Sequence, residues 1–148
     1  MKNILVGLDF HDNTDQLIDK AVSMAKAFGA KIWLYHIANQ QPDFLGYDGG
    51  SQYLRDHRAQ ELKEEHKTIG NWASIIEEEG LEAEGLLITG QPVTTILDKA
   101  KELNIDLIIC GHHEHSKVYE LFIGSRSAKL IRKSKIPVMV IPFEEDLF

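Results

Sequence analysis

Gly124 and Ser125 open an amphipathic segment that should run as a helix from about Ser125 to Lys133. A helix start offers unpaired N–H groups and a partial positive charge. Glycine removes bulk there and the Ser125 hydroxyl adds a donor, which together suit a phosphate. The same two residues serve equally as a plain helix cap with no ligand. Arg126 and Ser127 follow, the first a cation able to screen phosphate charge and the second a further hydroxyl. Asp9 closes the first apolar run and can accept from a hydroxyl or an exocyclic amine. Gly90 and Gly111 end later runs, where missing side chains would let a ligand approach the backbone. His112, His113 and His115 crowd one stretch. HHEH has no zinc-site spacing and no clearly placed Cys or distant His to complete it, so no metal is assigned. Cys110 reads as a small strand residue rather than a nucleophile, and no catalytic residue is assigned.

These residues need a scaffold that gathers strand ends, and the rest of the chain reads as one. Five apolar runs are expected as strands: 3–8, 31–37, 84–89, 106–110 and 137–141. The first is nearly continuous, as expected for a strand buried on both faces of a sheet. Helical stripes alternate with them. Ile18, Ala21, Val22, Ala25 and Phe28 form the first, with Asn13 or Thr14 as its cap and Gly29 as its stop. Leu62, Ile69, Trp72, Ala73 and Ile76 form a longer one, ended by Gly80. Val93, Ile96, Leu97, Ala100 and Leu103 form the third, with Pro92 in its first turn. Residues 39–50, NQQPDFLGYDGG, read as a long loop suited to a binding role or a simple connection. In such an open α/β sheet a ligand sits outside the carboxyl ends of the strands. Asp9, Ile37, Gly90 and Gly111 would be neighbours there.

The bulk properties narrow the function. The 148 residues fit a single domain, 1–148. A formal net charge of −7 disfavours nucleic acid as a partner. The basic cluster of Arg126, Lys129, Arg132, Lys133 and Lys135 reads mostly as a solvated helix face, with cations toward its C-terminus. One cysteine permits no internal disulfide. No stretch approaches the ~20 apolar residues that span a bilayer, and the first apolar run is too short for a signal peptide. The expected location is the cytoplasm, with no membrane partner.

Taken together, ILVGLDF, WLYHI, TGQPVTTIL and DLIICGHHEHSKVYELFIGSRSAKLIRKSKIPVMVIP resemble the universal stress protein family across nearly the whole chain. Nucleotide-binding members carry Gly-x2-Gly-x9-Gly-Ser/Thr after the fourth strand. Gly111 matches its first glycine, and Gly124 with Ser125 matches its end. The resemblance implies a Rossmann-like open five-stranded parallel sheet of order 3-2-1-4-5 flanked by four helices. It implies that Asp9 contacts the adenosine portion and that the Ile37 backbone contacts adenine. It also implies that Gly111, Gly124, Ser125 and Ser127 contact ribose and phosphates. Finally, it implies a homodimer paired through Val138 to Ile141, whose apolar character suits a covered edge.

One departure divides the functional reading. Glu114 replaces the second signature glycine and would set a carboxylate beside the phosphate path. Residues 111–113, GHH, resemble the branch of the family that lacks nucleotide, while the later Gly-Ser spacing follows the binding branch. The first reading is an ATP-binding regulatory module of the stress response, with Mg²⁺ reconciling Glu114 and phosphate. The alternative is a stress protein that acts through protein–protein contacts and holds no nucleotide. The chain has no P-loop lysine signature and no base placed by motif, so an enzyme would show at most slow ATP hydrolysis.

Overall fold

The apolar runs become strands because their side chains find a buried face, most completely in the runs at 3–8 and 107–110. In the computed structural model, residues 1–8, 13–38, 52–89, 91–112 and 125–143 are described, with the backbone alone for residues 53, 54, 112, 125 and 126. The elements in chain order are β1 (Asn3–Leu8), α1 (Thr14–Phe28), β2 (Lys31–Ile37), α2 (Gln52–Glu78), β3 (Ala83–Ile88), α3 (Pro92–Glu102), β4 (Leu107–His112), α4 (Ser125–Lys133) and β5 (Val138–Pro142). The strands form one five-stranded sheet of order β3-β2-β1-β4-β5. Every pairing in it is parallel. This is the Rossmann-like α/β arrangement expected from the sequence.

Alternation along each strand sorts the core into two layers. Ile4, Val6, Ile32, Leu34 and Ile109 pack with Leu17, Ala21, Ile69 and Ile76 of α1 and α2. Leu5, Tyr35 and Ile108 pack on the opposite face with Ile96, Ala100 and Leu130 of α3 and α4. Each fully buried Leu or Ile in these layers contributes roughly 1.5–3 kcal/mol relative to an exposed one. The central position of β1, with Ile4, Leu5 and Val6 all inaccessible, follows from its having strand neighbours on both sides.

Element ends differ from the sequence reading in informative places. β4 runs on through Gly111 and His112 because its ladder with β5 continues, pairing Gly111 with Ile141 and His112 with Pro142. Strand β3 begins one residue earlier than expected and β5 one residue later. In α1 the buried stripe is Thr14, Leu17, Ile18, Ala21 and Ala25. Phe28, in the last turn before Gly29, stays 53% exposed. Asn13 occupies the cap position without a side-chain bond, whereas Gly29 stops the helix at φ 66° as its left-handed geometry requires. Asn104 plays the corresponding part beyond α3, at φ 54°. Pro92 is at the start of α3, where its missing N–H costs nothing.

Candidate functional site

The carboxyl ends of β1, β2 and β4 border a cleft of about 200 Å³, whose described walls include Gly7, Leu8, Tyr35, His36, Ile37, Cys110, Gly111, Ser127 and Phe143. Register explains the convergence. Gly7 pairs with Tyr35, and Leu8 with His36, across β1 and β2. Val6 pairs with Ile109 across β1 and β4, one step before Cys110 and Gly111. The first turns of α4 bring Ser127 over the end of β4.

Of the residues expected to bind a ligand, three have described side chains or backbone at this cleft: Ile37, Gly111 and Ser127. Ser125 and Arg126 form the first turn of α4. Asp9, Gly124 and the departing residue Glu114 lie outside the described residues, as do Gly90, His113, His115 and the whole 39–50 loop segment. The end of β2 is tied down by the Ala38 N–H, which donates to the Ile88 carbonyl at 2.9 Å. Among the described residues no group of three or more His, Cys, Asp or Glu side chains converges as a metal site would require.

Two glycines serve packing that sequence reasoning did not anticipate. A Cβ on Gly7 would lie 2.5 Å from the Tyr35 hydroxyl oxygen, because the phenol lies across β1 in that space. A Cβ on Gly111 would overlap the Phe143 ring at Cζ and Cε2. On that face Gly111 therefore admits an aromatic ring of this chain, where the sequence suggested ligand access. The pairing of Gly7 with Tyr35 in neighbouring strands was a usable signal for the first contact. Nothing in the spacing of Gly111 and Phe143 announced the second.

The polar chemistry at this edge pairs a thiol with a hydroxyl at its floor and an imidazole with a carboxyl group at its flank. Burial pushes the Cys110 thiol above its ordinary pKa, and the Ser127 hydroxyl, hydrogen-bonded to it, acts in the opposite direction. Ser127 thus reaches down to β4. At the flank, His36 Nδ1 lies 2.9 Å from the Leu8 carbonyl oxygen. A carbonyl only accepts, so Nδ1 carries the hydrogen and donates it. His36 Nε2 then faces Glu65 Oε1 of α2 at 3.8 Å. Glu65 Oε2 is buried without a hydrogen-bond partner among the described residues. This histidine, one residue before Ile37, anchors the carbonyl that leads into Asp9. No sequence motif marked it.

The sequence and its fold have counterparts among known proteins. "Universal stress protein YxiE" of Bacillus subtilis is 29% identical over 143 residues, covering 93% of this chain and 97% of that one. A universal stress protein structure from Archaeoglobus fulgidus superposes with a TM-score of 0.70 at 27% identity, covering 95% of this chain and 98% of the other. A universal stress protein from the same organism, solved in complex with dAMP, shares the fold with a TM-score of 0.63 at 24% identity, covering 95% and 98%. The model of the universal stress protein family matches residues 1–142, and with the fold and relatives just described it establishes that this chain belongs to that family.

Proposed function

We propose that the chain is an adenine-nucleotide-binding regulatory module of the stress response, working in the cytoplasm as one 1–148 unit. The observation that carries this reading is the cleft at the carboxyl edge, where Ile37, Gly111 and Ser127 meet beside the start of α4. A relative of the same fold solved in complex with dAMP supports an adenine nucleotide as the ligand class. In this reading Asp9 accepts from the adenosine portion and the Ile37 backbone meets the adenine edge. Gly111 borders the ribose and the phosphates that follow it. Gly124, Ser125 and the free N–H groups of α4 take phosphate, with Arg126 screening its charge. Ser127 joins them by exchanging its Cys110 bond for the ligand. ATP is the proposed nucleotide, with Mg²⁺ set between phosphate and Glu114. Binding would shift a conformational or partner equilibrium, with at most slow hydrolysis.

The proposed dimer uses β5. That strand lies at the sheet edge, and Val138, Met139 and Val140 are only half-buried. An exposed apolar edge strand is an open template for pairing, and a second copy would cover it.

A specific observation favours the second reading, a stress protein that acts through protein contacts without nucleotide. The Phe143 ring already fills the space beside Gly111. Native mass spectrometry of freshly purified protein separates the two. A dimer carrying the mass of an adenine nucleotide, lost in Gly124→Asp, is the expected result. A bare dimer with no thermal shift on adding Mg-ATP would establish the second reading.

A further inference from the structure

Phe143 follows β5 and is 4% exposed, in one cluster with Leu8, Leu17 and Ile141. It also forms part of the cleft wall. Its ring covers the face of Gly111 that looks toward α1, while Gly111 itself is only half-buried. The opposite side of the cleft carries Tyr35, Cys110 and Ser127, which offer hydroxyl and thiol groups and no cationic side chain. None of the described lining residues is Lys or Arg.

These facts bear on which part of a nucleotide the cleft accepts. A phosphate held against Gly111 would lose water on the side covered by the ring and gain no donor from it. A base or ribose loses less there, because its C–H groups and ring faces tolerate aromatic contact. We infer that Phe143 is a specificity-determining residue of the cleft, favouring the nucleoside end of a ligand and disfavouring polyphosphate at Gly111. The inference rests on the nucleotide reading above and goes beyond it by naming the residue that sets ligand preference.

The test measures dissociation constants for adenosine and Mg-ATP with wild type, Phe143→Leu and Phe143→Met. Each protein is first melted to confirm a folded state. Methionine conserves volume and supplies a flexible side chain, so it carries the test if the leucine variant fails to fold. Opening the face of Gly111 should tighten Mg-ATP about tenfold. Adenosine should change by less than about threefold. Equal movement of both ligands marks a packing role alone and overturns the inference. So does binding by wild type with no change in the variants, which leaves the nucleotide reading intact. Absence of binding by both ligands to all three proteins removes that reading and this inference with it.

Discussion

The two edges of the sheet are built from the same strands and treat their polar groups in opposite ways. At the amino edge, Asp106 Oδ2 accepts from the backbone N–H groups of Lys2 at 2.7 Å and Asn3 at 3.0 Å. Trp33 Nε1–H donates to Asn3 Oδ1 at 3.1 Å, and Lys31 Nζ sits 3.8 Å from the Trp33 ring centre. These contacts close that edge with local partners. At the carboxyl edge Glu65 Oε2 is buried and unpartnered among the described residues, the Cys110 thiol is buried, and a cleft remains. The difference teaches a division of labour. The amino edge contributes stability, while the carboxyl edge leaves polar capacity unspent where ligands approach in open α/β sheets.

Adding one methyl group breaks this comparison most strongly. Gly111→Ala would drive a Cβ into the Phe143 ring, which is held in the core with Leu8 and Leu17. Overpacking of this kind costs about 1–3 kcal/mol. Each kcal/mol lowers the melting temperature by roughly 2–4 °C in a domain of this size. Gly70→Ala is the contrast. Gly70 lies within α2, and a Cβ there meets nothing within 4 Å. That change should stabilise by about 0.5–1 kcal/mol through helix propensity. Thermal melts of both variants check the pair, and a Gly111→Ala protein as stable as wild type would show that the ring yields freely.

The fold was legible because its signals are local and repeated. Asn3–Leu8 and Lys31–Ile37 show as mostly apolar runs, and their spans match the strands. Gly29 and Pro92 marked a helix end and a helix start through backbone geometry that few other residues satisfy. The α1 stripe was less legible: 3.6-residue periodicity pointed Phe28 inward and missed Leu17, since periodicity does not say how far the neighbouring layer extends. The site was only partly legible. Ile37, Gly111 and Ser127 do meet at one cleft. The partners that occupy Gly111 and Ser127 come from contacts across the sheet, and no spacing rule encodes them.

Acid should erode the amino edge through Asp106. Its carboxyl is held below the usual aspartate value, chiefly by the Lys2 N–H, then the Asn3 N–H. The group binds protons less readily folded than unfolded, so its contribution is present above the ordinary value of about 3.9. That contribution is lost as pH falls through the lower folded value. Asp106→Asn should therefore lower the urea midpoint at pH 7, and the gap from wild type should narrow as pH drops below about 4. A gap independent of pH would mean that Asp106 acts through shape rather than charge.

The smallest effect sharpens the carboxyl edge. Burial raises the Cys110 pKa and the Ser127 hydroxyl opposes that rise. Alkylation proceeds through the thiolate, so its rate against pH reports the thiol directly. Iodoacetamide should modify the folded protein more slowly than the urea-unfolded chain at pH 8. Ser127→Ala should move the midpoint of the pH–rate profile upward, because the donor that favours the thiolate is gone. A change in access alone would scale the rate at every pH and leave the midpoint where it was. An unmoved midpoint would free Ser127 from the role given it at the floor of the cleft and leave its hydroxyl available to the proposed ligand.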